Sequence, residues 1–99
     1  MLLTLTGFLP DPGGVPTITA RSPATAPAGS AGFLLTIHGT GFVPGAVVLW
    51  KGSARPTIFV SPEKLQARLS DADLAVPDNP TFQVANPGGT STKVLFLVE

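Results

Sequence analysis

The chain contains no cysteine, and that absence removes disulfide staples and thiolate metal centres together. Any fold it adopts must be held by apolar packing alone. Charge is nearly as scarce. Six Lys and Arg residues against six Asp and Glu leave a formal net charge of zero, so no long-range field gathers nucleic acid or an anionic membrane. Partners must then be recognised by shape and short-range contact. His38 is the only histidine. Without a second His or a Cys it lacks the companions of a common metal site, and no local serine and carboxylate align with it for nucleophilic catalysis. No segment approaches the roughly 20 apolar residues of a membrane span. The apolar start, Met1 to Pro10, has no basic flank and is interrupted at Thr4, Thr6 and Gly7, so it does not read as a signal peptide. The chain reads instead as a module of something longer.

What is present is punctuation. Eleven glycines and eleven prolines divide the chain into short alternating segments. A chain of 99 residues suits one domain. It buries about 60 to 65% of its unfolded surface, too little for a second core or a deep catalytic cleft. Pro10-Asp11-Pro12-Gly13-Gly14 is a loop by chemistry. It separates an N-terminal arm and linker, residues 1–14, from a domain over residues 15–99. Apolar alternation and turn residues predict strands over residues 15–20, 33–38, 46–50, 57–60, 65–69, 80–86 and 91–98. Single helical turns are expected at residues 61–64, with Ser61 as cap and Pro62 first in the turn, and at residues 70–74, capped by Ser70 or Asp71. Gly39 and Gly41 predict a bulge or sharp corner. The chain is therefore expected to be all-β, an immunoglobulin-like Greek-key sandwich of about seven strands.

Few residues carry chemistry. Asp71, Asp73, Asp78 and Asn79 are the only acidic concentration. Their spacing departs from a calcium loop and no Glu closes it, so capping and loop chemistry are the preferred reading, with calcium as the alternative. The basic residues Arg21, Arg55, Arg68, Lys51, Lys64 and Lys93 are scattered, which argues against nucleic-acid binding. Gly39 and Gly41 stand between strands rather than before a helix, unlike a phosphate loop. No catalytic residue, metal ligand or cofactor is expected.

Several motifs occur in a telling order: Ser22-Pro23 to Gly29-Ser30, then Leu35 to Phe42 with its Gly39-Thr40-Gly41-Phe42 corner, Val48 to Trp50 before Gly52, and Asn86-Pro87-Gly88-Gly89-Thr90-Ser91. Together they resemble the IPT/TIG domain family over about residues 16–98. The resemblance implies an immunoglobulin-like fold of the kind found in bacterial surface and secreted proteins, in extracellular parts of animal receptors and in Rel-type transcription factors. It also implies a core of Phe33, Leu35, Ile37, Phe42, Val48, Trp50, Leu65, Leu69, Phe82, Val84, Val94, Phe96 and Val98, nearly the set that alternation alone yields.

If Val94, Phe96 and Val98 point inward, Leu95 and Leu97 point outward. Val47 and Leu49 likewise lie opposite Val48 and Trp50, and Ala85 lies on the outward side of the Phe82 strand. Val47, Leu49, Ala85, Leu95 and Leu97 are therefore expected to form a contiguous apolar patch, and such patches mark contacts. Leu3, Leu5 and Phe8 of the arm are candidates to cover it, within one chain or across a homodimer, with a neighbouring domain as the other possibility. The function expected is a non-catalytic structural or protein-interaction module of a larger bacterial protein, extracellular or at the cell surface, with no membrane insertion. The alternative is a carbohydrate-binding accessory domain attached to an enzyme. Against it, the chain has no tyrosine and only one tryptophan; an exposed Trp50 would favour it.

Overall fold

Period-two alternation of large apolar residues with small or polar ones requires strands that are dry on one side and wet on the other. Two sheets packed dry side to dry side satisfy it. The computed structural model describes residues 13–99. Its strands are β1 Thr17–Ser22, β2 Thr25–Ala26, β3 Leu34–Thr40, β4 Val47–Trp50, β5 Ser53–Arg55, β6 Thr57–Ser61, β7 Lys64–Arg68, β8 Thr81–Asn86, β9 Gly89–Thr90, β10 Val94–Leu95 and β11 Leu97–Val98. One sheet has the order β1-β3-β7-β6, and the other β10-β8-β4-β5 with β9 beside β8. The expected all-β immunoglobulin-like sandwich is the observed architecture.

The last strand binds the second sheet together. Val94 pairs with Phe82, Phe96 N donates to Pro80 O at 2.9 Å, and Asp78 and Val98 exchange backbone bonds of 3.0 and 2.9 Å. Residues 94–98 thus run antiparallel to residues 78–82 along their whole length. On its far side β11 pairs in parallel with β2, Leu97 opposite Thr25 and Val98 opposite Ala26. The segment expected as one connection over residues 24–31 therefore contains a short strand. Pro23 and Pro27 bracket it, and because proline lacks an N–H they keep it short.

The inward rows are Leu35 and Ile37 of β3 and Leu65 and Ala67 of β7, facing Val48 and Trp50 of β4, Phe82 and Val84 of β8, and Phe96 and Val98. Trp50 lies at the centre. Its ring centroid is 5.4 Å from that of Phe96 and 6.5 Å from that of Phe82. Each such side chain contributes roughly 1.5 to 3 kcal/mol on burial, which is how a cysteine-free chain holds. Phe33 and Val94, expected in the core, are only partly buried at its margin, whereas Leu74 is fully buried.

Two local expectations differ. Residues 61–64 form the turn of the β6–β7 hairpin, with Ser61 opposite Lys64, and not a helical turn. Pro62 has the φ suited to either, and the alternation of Leu65 and Ala67 decides for a strand. Ser61 Oγ still accepts from Glu63 N at 3.2 Å. The strand over residues 33–38 continues through Gly39 to Thr40, and the register shift falls opposite it, between Ile18 and Ala20 of β1. The turn after β4 is tight: Trp50 pairs with Ser53, and Lys51 and Gly52 have φ of 53° and 84°, the left-handed pair that a two-residue hairpin loop requires. The expectation for residues 70–74 holds in part. A 3-10 turn spans Ala72–Leu74, and Ser70 is the capping side chain, its Oγ accepting from Asp73 N at 3.2 Å.

Candidate contact surface

The outward side of the second sheet follows from its register. Side chains directly opposite in an antiparallel pair share a face. Val47 faces Ala85 and Leu49 faces Gln83, while Leu95 faces Thr81. Val47, Leu49 and Ala85 are half-buried side by side. Leu95 and Leu97 are 59% and 40% exposed. They do not join the first group. Thr81 and Gln83 stand between, because β8 alternates them with buried Phe82 and Val84 and so presents a wet row. The apolar set expected to be contiguous is therefore two corners with a polar middle, and Leu97 is flanked by Thr25 of β2. Leu3, Leu5 and Phe8 lie outside the described residues.

The polar middle is a shallow depression of about 330 Å³ lined by Lys51, Gly52, Asp78, Asn79, Pro80, Thr81, Gln83 and Lys93. Lys51 is the only non-glycine residue with positive φ among the described residues. Its N–H donates to Thr81 O at 2.9 Å and its Nζ reaches Asp78 Oδ2 at 2.8 Å. That ammonium, with the N–H of Asn79 on the other oxygen at 2.8 Å, holds the Asp78 carboxyl below its ordinary pKa. Gln83 Nε2 donates to Ser91 O at 3.1 Å. The floor of the depression is thus fixed by the protein itself.

The remaining singled-out residues have local duties. Asp71 Oδ1 accepts from Gly32 N at 2.6 Å, Asp73 binds Arg55 and Asp78 binds Lys51. The three carboxylates serve three separate partners and do not converge. His38 is exposed, opposite Ala20 and Lys64. Trp50 is 1% exposed and offers no platform to a sugar. No helix among the described residues is long and apolar enough to cross a membrane.

The two sequence motifs meet at Asn86. This buried residue ends β8 and donates from Nδ2 to Gly41 O at 2.7 Å and Gly14 O at 3.1 Å. One side-chain amide thereby joins the Gly39-Thr40-Gly41-Phe42 corner, the Asn-Pro-Gly-Gly hairpin and the point where the chain enters the sandwich. Beside it lies a feature that sequence reasoning missed, an apolar groove of about 430 Å³ lined by Gly13, Gly14, Gly41, Phe42, Val43, Pro44, Phe59 and Pro62. The signal available was Pro56 to Pro62, a run without charge.

Comparison with known proteins agrees with this layout. The profile of the IPT/TIG domain family matches residues 16–98. No curated protein matches the chain. Among solved structures, the TIG domain of human nuclear factor of activated T-cells, cytoplasmic 4, superposes with a TM-score of 0.67 at 22% identity, covering 85% of this chain and 87% of that one. An auxiliary nutrient binding protein from Bacteroides thetaiotaomicron superposes with a TM-score of 0.62 at 15% identity, covering 90% of this chain but only 22% of that one. At these identities the likeness is one of fold. With the family profile spanning nearly the whole described sandwich and Asn86 joining both of its motifs, this chain belongs to the IPT/TIG domain family of immunoglobulin-like modules.

Proposed function

We propose that this module provides spacing and protein contact within a larger bacterial protein that is secreted or displayed at the cell surface. IPT/TIG domains are non-catalytic units that mediate interactions. The observation that carries the contact reading is the row of Leu95 and Leu97, 59% and 40% exposed on one side of the C-terminal strand. Paired exposed leucines on a sheet are the kind of apolar surface that a partner covers. The bacterial setting is supported by the motif resemblance, since such domains occur in bacterial surface and secreted proteins; the solved structures, one human and one bacterial, speak only to the fold. No observation favours the carbohydrate reading, since Trp50 is in the core.

This module has no cysteine, so with any cysteines elsewhere in the parent protein replaced by serine, single introduced cysteines report on chosen positions. Single cysteines at Leu95 and, as control, at exposed Ser53 of β5 are introduced into the full-length protein in the cells that produce it. A membrane-impermeant maleimide should label Ser53→Cys on intact cells, and a photoreactive maleimide should cross-link from Leu95→Cys in much higher yield than from Ser53→Cys. Labelling only after lysis would overturn the surface placement, and equal cross-linking yields would overturn the contact reading.

A further inference from the structure

Among the described residues the first sheet ends on β6, which has β7 on one side and no strand on the other. Arg68 N donates to Pro56 O at 3.0 Å, so Ile58 and Gln66, two positions along the register, form the next bonded pair. The opposite side of β7 agrees, because Leu69 N donates to Phe33 O at 2.9 Å: odd-numbered residues of β7 serve β3, even-numbered ones serve β6. Thr57 and Phe59 consequently turn their backbone N–H and C=O away from the sheet. The Thr57 end is tied in by its hydroxyl, which accepts from Val48 N at 2.9 Å and donates to Arg55 O at 2.8 Å. Phe59 is left presenting its backbone at the edge.

Soluble proteins blunt such edges with charge, brevity or irregularity. Of the other edges, β1 carries Arg21 and a register shift, β5 carries Arg55, and β2 has two residues. β6 carries no charge, and its own irregularity lies between Phe59 and Ser61. Its outward side chains, Ile58 and Val60, are 49% and 48% exposed. Its inward side chain, Phe59, is half-buried and lines the apolar groove with Phe42, Val43, Pro44 and Pro62. An open ladder and an apolar recess therefore adjoin at one residue.

We propose that β6 accepts an extended, uncharged segment of a partner polypeptide as an added strand. The backbone groups of Phe59 bond to it, and one of its alternate aliphatic side chains enters the groove beside Phe42, Val43 and Pro44. The ligand class follows from the groups on offer: an N–H and C=O at strand spacing are matched by another extended backbone, and an uncharged apolar recess takes an aliphatic side chain. The site lies on the other sheet from Leu95 and Leu97, so the two contact surfaces can fail independently.

The test uses the full chain, labelled for amide NMR, and a soluble synthetic peptide with a Thr-Leu-Thr-Leu-Thr centre flanked by lysines. Saturating peptide should slow hydrogen exchange at the Phe59 amide by about tenfold or more and shift the amides of Phe42 and Val43, leaving Gln83 and Leu95 unchanged. The same peptide with a central proline, which cannot complete the ladder, should do nothing. Ile58→Lys, a change at an exposed position, should weaken peptide binding while leaving the melting temperature in place. No protection at Phe59, an equal effect of the proline peptide, or changes confined to Leu95 would overturn the proposal. So would Phe59 protection in the free protein: if it survives dilution the chain covers its own edge, and if dilution removes it a second copy does.

Discussion

Arg55 and Asp73 form a two-point contact, Nε to Oδ2 at 2.9 Å and Nη2 to Oδ1 at 2.6 Å. It ties β5 of the second sheet to the 3-10 turn that leaves the first. The same carboxylate accepts from Ser70 N at 2.9 Å, so Asp73 both reciprocates the Ser70 cap and anchors the turn. The turn in turn seats Leu74, which is fully buried.

This pairing makes stability depend on acid. The hydrogen bond from Arg55 is the main cause of a lowered Asp73 pKa; burial opposes it and the Ser70 N–H adds to it. The unfolded value is about 3.9. A carboxyl depressed in the native state contributes stability that is fully present above the unfolded value and is lost as pH falls through the native one. Asp73→Asn should cost about 1.5 to 3 kcal/mol at neutral pH through the lost charged hydrogen bonds. Urea midpoints of the two proteins should converge in acid, and a gap that is constant with pH would count against the pairing.

Asn86 is used as a donor, toward Gly14 O and Gly41 O. Asn86→Ala should destabilise by about 1 to 3 kcal/mol, since two hydrogen bonds from a buried side chain are lost. Asn86→Asp should be worse at neutral pH, because it sets a carboxylate against two carbonyl oxygens. The difference between the two variants should shrink toward about pH 4, where the raised carboxyl takes up a proton and can donate again. Thermal melts of both variants across that range are the check.

Trp50, packed on Phe82 and Phe96, should cost about 3 to 5 kcal/mol when changed to Ala and clearly less when changed to Phe. A melting temperature that barely moves in Trp50→Ala would mean that the core is organised around other residues.

At Gly39 an added Cβ would collide with Thr17 O and lie 2.8 Å from Phe42 Cζ, whereas at Gly14 it meets nothing within 4 Å. Gly39→Ala should therefore destabilise by about 1 to 3 kcal/mol, and Gly14→Ala should be neutral or stabilising by less than about 1 kcal/mol. Equal effects in denaturant melts would contradict the close approach of β3 to β1.

Alternation made the sandwich legible, and with it the inward rows of β3, β4, β7 and β8. Burial of Leu74 was not legible, because it depends on Arg55 and Asp73 meeting across 18 positions of sequence. Outward directions for Val47, Leu49, Leu95 and Leu97 could be read from parity, but their contiguity could not. Parity says which face a residue occupies, while the strand lying between decides its neighbours, and here Thr81 and Gln83 intervene. The β6 edge escaped for a related reason. A run such as Thr57-Ile58-Phe59-Val60 looks the same at the edge of a sheet as in its middle until the strand order is known.

The C-terminal strand has a consequence for how the module is made. Phe96 and Val98 are fully buried, and residues 94–98 lie between β8 and β2. A nascent chain that has emerged only as far as Lys93 lacks the strand that joins the earliest part of the second sheet to the rest. The core of the module is therefore complete only once Phe96 and Val98 have emerged. Until then the side of Trp50 that Phe96 packs against is open to whatever else is being synthesised nearby.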